Sequence, residues 1–230
     1  MDTIIEAITN DHQKNITLVL LAAGKSSRFK GIKLAQPIID FNAHGTLIEQ
    51  PLLLHSLDKL NYLADYLIAN NINSRVVVVL GSHHKELSAL LPKSTVFIIN
   101  KQSEQGLSTS IKVGVKDAIS TNASGLILAL ADHIGVSYSD YVKLADLWIL
   151  KRHSICASYQ SQLGVPALFT ADQFSALAQL NGDKGAKPLL QQLAHNKQLT
   201  CLDLPSAIND IDTQDDLLKW QESKLNQSPS

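Results

Sequence analysis

The sequence lacks several features that define common protein classes. It has two cysteines, Cys156 and Cys201, in 230 residues, too few for a disulfide framework or a cysteine-rich metal site. Two buried thiols in a reducing compartment are expected. Neither charge is in excess: 20 Lys and Arg stand against 21 Asp and Glu, a formal net of −1. That balance excludes a broad nucleic-acid-coating surface and an electrostatic membrane binder. There is no long apolar run either. The most apolar early stretch, 16–23, has eight residues, too few to span a bilayer. It also lacks the basic flank and longer apolar stretch of a signal peptide, so a cytoplasmic location is expected. Internal repeats, low-complexity linkers and composition breaks are absent. We read one domain over 15–224, with an extension at 1–14 that carries at most one helical turn and a tail at 225–230. That length supports one ordinary hydrophobic core.

What is present is a run of short apolar segments separated by helical patterns. The segments 16–22, 75–80, 95–99 and 126–131 are continuously apolar and rich in β-branched residues. Continuous apolarity, without alternation, marks strands covered on both faces, hence parallel ones. Helical spacing appears at 46–61 behind Thr46, at 83–91 before Pro92, at 108–119 and at 138–150 behind Ser137. The final third reads as strands near 154–159, 166–169 and 199–204, helices near 171–180 and 185–195, and a closing helix from about Thr213. This order predicts an α/β protein, a three-layer α/β/α Rossmann-like fold with a mostly parallel central sheet.

Ligands of open α/β sheets sit beyond the carboxyl ends of the strands. The first strand ends in Leu-Ala-Ala-Gly-Lys-Ser-Ser-Arg-Phe-Lys-Gly-Ile-Lys at 21–33. Gly24 permits close backbone approach, successive N–H groups can form an anion nest, and Lys25, Arg28 and Lys33 supply charge. The segment therefore suits a phosphate. Two familiar phosphate motifs fail here. A P-loop needs a glycine five residues before Gly24, where Val19 stands. The dinucleotide fingerprint fails because Gly24 is alone.

The 21–33 segment resembles the signature loop of the MobA/MocA-like nucleotidyltransferases, most closely the molybdenum cofactor cytidylyltransferase branch. Further segments resemble that family in order: Gln-Gly-Leu-Ser-Thr-Ser at 105–110, Ala131-Asp132 at a strand end, Gly-Val-Pro-Ala-Leu-Phe at 164–169, Gly-Asp-Lys-Gly-Ala-Lys at 182–187 and Asn-Asp-Ile-Asp-Thr-Gln-Asp-Asp at 209–216. The resemblance runs from about residue 16 to 220. It implies transfer of a nucleotidyl group from an NTP, CTP in the nearest branch, to a small phosphorylated acceptor of the molybdopterin type, with release of pyrophosphate. A molybdoenzyme is the implied client. The same resemblance implies that Lys33 and Arg28 act on the phosphates and that Asp132 binds Mg²⁺. It places Leu21, Ala22, Ala23, Gly24, Lys25, Ser26 and Ser27 along the nucleotide, and Gln105, Gly106 and Ser110 at the base. Asp212 is the second metal candidate and Asp210 the alternative. Mg²⁺ takes oxygen ligands, typically one or two carboxylates with phosphates and water. From residue type alone, Asp132 and Asp212 could equally cap helices.

This chain departs from the family pattern at Asp132-His133-Ile134-Gly135, where the family commonly continues the aspartate as Asp-x-Pro. The loop glycine, Gly31, also falls three residues after Arg28 instead of two. We read His133 as an exposed loop histidine, His83-His84 as a polar helix start, and Trp148 and Trp220 as helix-packing residues. Asp215 and Asp216 suit the N-terminal dipole of the last helix. The 182–187 segment is either a loop for the acceptor's phosphate or a tight turn. Two other functions fit the same residues: transfer to a different acceptor such as a sugar phosphate, or a non-catalytic nucleotide-binding role. The near-neutral total also hides a segregation. Lys14, Lys25, Arg28, Lys30 and Lys33 form a basic block, and Asp203, Asp210, Asp212, Asp215 and Asp216 an acidic one. One anion and its cation would need both.

Overall fold

The computed structural model describes residues 14–226. The readings for 1–13 and for most of the tail therefore fall outside the described residues. The sheet is built around β1 (Asn15–Ala22), which pairs in parallel with β4 (Asn73–Leu80) on one side and β6 (Gly125–Leu130) on the other. β5 (Val96–Ile99) extends the sheet beyond β4. β8 (Gln162–Thr170), β7 (Ser154–Tyr159) and β9 (Leu199–Asp203) extend it beyond β6. The order is β5-β4-β1-β6-β8-β7-β9. β8 alone runs against the other strands, so the sheet is mostly parallel, as its apolar runs require.

Side chains alternate along a strand, and on β1 this alternation divides the core. Ile16, Leu18, Leu20 and Ala22 belong to one layer, with α1 (Leu52–Ala69) and α4 (Tyr138–Lys151). Val19, Leu21 and Ala23 belong to the other, with α3 (Leu107–Ser120), α5 (Phe174–Ala178) and α6 (Lys187–His195). The three layers follow from this division. α2 (His84–Leu90) and α7 (Gln214–Leu225) lie on the α1 side, through Leu87 and through Leu217 and Trp220. Leu53, Leu57, Leu60 and Leu67 recur at helical spacing on α1, each at 0–1% exposure, and burial of each contributes about 1.5–3 kcal/mol. No described helix is long and apolar enough to cross a membrane.

One expectation fails. The 46–61 stretch is not a helix behind Thr46. Leu47–Pro51 is a strand, β3, in an antiparallel hairpin with β2 (Pro37–Phe41), and α1 starts only at Leu52. The side chain of Asn42 accepts from the N–H groups of His44 and Thr46, and Gly45 takes φ +75° to close the turn. Pro51, which has no N–H to give, stands at the N-cap. Two smaller corrections concern length. β8 extends well beyond 166–169, and the 171–180 helix is a 3-10 turn at Ala171–Gln173 followed by the short α5. The thiols are also not both buried: Cys156 is, but Cys201 is exposed on the edge strand β9.

The α3 layer approaches β1 closely at one residue. A Cβ added at Gly114 would stand 2.8 Å from a methyl of Val19, which is fully buried. Gly114→Val should therefore destabilise by about 1–3 kcal/mol through overpacking, read as a lower denaturant midpoint. Combined with Val19→Ala, its cost should fall short of the sum of the two single changes.

Candidate active site

The loop leaving β1 is shaped by its own backbone. Ser26 takes φ +53° and its carbonyl accepts from the Phe29 N–H at 2.9 Å. Phe29 is buried at 4% exposure and anchors the turn. A 3-10 turn at Lys33–Ala35 then directs Lys33 inward, where it is 8% exposed. A Cβ at Gly24 would meet no protein atom within 4 Å. Packing within the protein therefore does not require this glycine; the space beside it is the cleft.

Lys33 is the centre of the site. Its Nζ donates to Asp132 Oδ2 at 2.8 Å and to Asp212 Oδ1 at 3.3 Å. Arg28 Nη2 donates to the other Asp212 oxygen at 2.7 Å, although its side chain is 73% exposed. The basic and acidic blocks of the sequence thus meet in one ion network. Asp132 follows β6, and Asp212 immediately precedes α7. Two main-chain hydrogen bonds join their segments: the Ile211 N–H donates to Asp132 O at 3.1 Å, and the Gly135 N–H to Asn209 O at 3.0 Å. Neither aspartate is a helix cap. Ser137 caps α4 and Thr213 caps α7, each with a complete capping box. Asp216 closes the second box and also accepts from the Asp212 N–H at 3.2 Å. Asp210 is exposed and makes no ion pair among the described residues. Although much of the residue faces solvent, the protein partly screens its carboxyl from water, and this, with the charges of Asp212 and Asp132, holds it above the ordinary carboxylate range.

The network borders a cleft of about 500 Å³. Leu21, Ala22, Ala23, Gly24, Lys25, Ser26, Ser27, Lys33 and Asp132 form one part of its wall, and Gly106 and Ser110 lie on the other. Gln105 is exposed and stays off the wall. Arg28 is off it as well and enters the network only through Asp212. Sequence reasoning missed Ser103, Glu104, Leu107, Leu130 and Asp183. It also missed Asn100, buried at 4% exposure, whose amide donates to Thr109 Oγ1 and Ser110 Oγ and so fixes the start of α3. The 105–110 and 182–187 segments pack together. The Ser108 N–H donates to Gly182 O at 3.1 Å, and Gly106, at φ +111°, leaves no room for a Cβ against Gly182 and Asp183.

A smaller recess of about 170 Å³ adjoins this cleft and shares Leu21, Leu107 and Leu130 with it. His133, Tyr159, Val165, Lys184 and Lys187 line its other sides. His133 is therefore not an exposed loop residue. It is half-buried, its Nδ1 is shielded without a partner among the described residues, and burial holds its imidazole below the usual histidine range.

Comparison with known proteins bears on the family and the fold. A family model described as a MobA-like NTP transferase domain matches residues 18–198. The purine catabolism protein PucB of Bacillus subtilis (strain 168) is 28% identical over 208 residues, spanning 86% of this chain and 92% of that protein. Among solved structures, Rv0371c from Mycobacterium tuberculosis H37Rv is 24% identical with a TM-score of 0.70, covering 91% of this chain and 98% of that one. A second structure of Rv0371c, in complex with manganese, is aligned at 22% identity with a TM-score of 0.64, over 90% and 98% of the two chains.

The pairing of the two acidic segments depends on Gly135, because a Cβ there would be driven into the Ser206 carbonyl. Gly135→Ala should cost about 1–3 kcal/mol of stability. It should also separate Asp132 from Asp212 and make Lys33 more reactive to an amine-acylating reagent, as read by mass spectrometry of the native protein.

Proposed function

The chain belongs to the MobA-like NTP transferase family, and from that premise we propose that it transfers CMP from CTP to a small phosphorylated acceptor of the molybdopterin class, with Mg²⁺ as the metal. Within the cytoplasm a molybdoenzyme would be the client of the product. An acceptor phosphate oxygen attacks the α-phosphorus, a bond forms there, and the bond to the bridging oxygen breaks as pyrophosphate departs. The observation that carries this reading is the convergence of Lys33, Arg28, Asp132 and Asp212 at the edge of the cleft below the 21–33 loop.

Such a reaction asks the protein for in-line positioning and charge neutralisation more than for covalent chemistry. The Gly24–Ser27 backbone and Lys25 meet the triphosphate, and Lys33 brings a buried positive charge to the transferring phosphate. Arg28 takes up charge on the leaving pyrophosphate. Gly106 and Ser110 face the base. The donor set fits a hard divalent cation: Asp132 and Asp212 aim carboxylate oxygens at the same point, now held by the Lys33 ammonium. Asp132 and Asp212 are the residues that would hold Mg²⁺, which when bound would supply charge neutralisation to the reacting phosphate. The manganese complex of the structurally similar Rv0371c supports a divalent-metal reading. The recess lined by His133, Tyr159, Lys184 and Lys187 suits the acceptor, with apolar walls for its body and lysines for its phosphate.

Asp132→Ala and Asp212→Ala should each reduce Mg²⁺-dependent pyrophosphate release at least a hundredfold (about 2.7 kcal/mol) while the fold persists, since Lys33 keeps one carboxylate in either variant. Undiminished turnover would remove that aspartate from the mechanism. Lys33→Ala should lower turnover far more than melting temperature. A thermal-shift screen of CTP, GTP, ATP and UTP, with and without Mg²⁺, tests the base. At a hundredfold excess over Kd the preferred nucleotide adds about 2.7 kcal/mol. A larger shift with another nucleotide overturns the choice of CTP, and no shift with any overturns the nucleotide reading.

A further inference from the structure

Among its leucines α1 buries three polar side chains that line neither cleft: His55, which faces Asp40, and Ser56 and Lys59. Ser56 and Lys59 are 5% and 4% exposed and lie one helical turn apart. Both reach the turn that follows β6. Ser56 Oγ donates to Ala131 O at 2.7 Å, and Lys59 Nζ donates to Ile134 O at 2.8 Å. These two carbonyls flank Asp132 and His133. The turn has no proline to stiffen it; its own bonds are the Ile134 N–H to Asp132 O at 2.8 Å, the weaker His133 N–H to Leu130 O at 3.3 Å and the Val136 N–H to His133 O at 3.4 Å. We infer that Lys59, assisted by Ser56, is a positioning residue for Asp132, holding the turn so that the carboxylate faces Lys33 and Asp212. The inference rests on the role proposed for Asp132.

The energetics favour this role over simple packing. Burial pushes the Lys59 amine down from 10.5 to about 8, with Asp40 working against that and Lys224 adding to it. The charged and titratable groups around it are His55 on its own helix, Asp40 on β2, Lys224 on α7 and Asp140 on α4. A base whose folded pKa lies below its unfolded one destabilises the fold wherever both states are protonated. For Lys59 that cost is complete below about pH 8 and is relieved only as pH rises toward 10.5. At neutral pH a lysine here therefore opposes folding, and an apolar side chain of similar length would not. Its contribution is directional: the ammonium holds a carbonyl that methionine would leave unheld.

The test compares Lys59→Met, Ser56→Ala and Asp132→Asn with the native protein, using pyrophosphate release from CTP with Mg²⁺ and molybdopterin. For Lys59→Met we expect a melting temperature at pH 7 equal to or above native, a kcat ten- to a hundredfold lower per folded molecule, and a KM for CTP within twofold. A displaced turn has that effect because a misplacement of about 1 Å can cost a hundredfold in rate. Ser56→Ala should lower kcat in the same direction by less, and the double variant by less than the product, because both side chains hold one turn. A kcat within twofold of native for folded Lys59→Met overturns the inference, whatever its melting temperature. If Lys59→Met does not fold, the kcat of Ser56→Ala decides alone: lowered supports the inference, native overturns it. Asp132→Asn separates the two failures. If it too leaves kcat intact, the role of Asp132 has failed; if it abolishes turnover while Lys59→Met does not, only the positioning role has failed.

Discussion

The site depends on two main-chain hydrogen bonds, from Ile211 to Asp132 and from Gly135 to Asn209. They bind the turn after β6 to the segment before α7, and so bring together two aspartates that lie 80 positions apart in sequence (212 minus 132). Like charges this close raise each other's cost of ionisation. At Asp210, beside the pair, dehydration by the surrounding protein and the charges of Asp212 and Asp132 together raise the carboxyl. Asp132 and Asp212 themselves are ion-paired, both to Lys33 and Asp212 also to Arg28. The cations in turn are placed by the 21–33 loop, whose geometry comes from Ser26, Phe29 and the turn at Lys33. Backbone zipper and ion network are thus one device, since the zipper creates the repulsion that the loop neutralises.

A second polar layer supports this device from behind. Asp40 on the β2–β3 hairpin accepts from Lys224 of α7 at 2.9 Å, and His55 of α1 stands 3.1 Å away. Burial would raise the Asp40 carboxyl, but hydrogen bonds and charge from His55 and Lys224 outweigh it and keep it below the ordinary range. Burial moves the His55 imidazole below the usual histidine range. Lys224 also lies 4.3 Å from the Trp220 ring, so the hairpin, α1 and α7 are clasped at one point. α7 begins directly after Asp212, and this clasp limits how far the second aspartate can move. Buried charge of this kind adds little net stability; it fixes the relative placement of elements.

Much of the fold was legible in the sequence because covered parallel strands leave a plain trace, short continuous apolar runs between helical periods. The hairpin was not legible. Leu47–Pro51 reads as the start of an apolar helix, and only the pairing with 37–41 turns it into a strand. The glycine-serine loop and its lysines were legible as an anion site, because their position at a strand end is itself a physical argument. The resemblance put Asp212 ahead of Asp210 as the partner of Asp132, but the meeting of both carboxylates on Lys33 needed the fold. Gln105 is exposed and does not line the cleft, although its neighbours Glu104 and Gly106 do. Lys59 had no signal at all. A lysine in a helix is normally solvated, and nothing in its neighbours says that this one is wrapped on every side.

The missing proline at position 134 bears on whether the site is competent. In a turn without proline, φ is set by whatever bonds the turn makes. Here those bonds come from α1, from the 209–211 segment and from within the turn, and the Ile134 side chain is itself buried at 1% exposure. The departure from Asp-x-Pro therefore leaves no unsupported loop, and it gives no ground for a non-catalytic protein. Its consequence lies one residue earlier. Asp132 borders the larger cleft and His133 the smaller recess, and the two compartments share Leu21, Leu107 and Leu130 in their lining. A turn held from three sides thus presents consecutive side chains to two adjacent compartments.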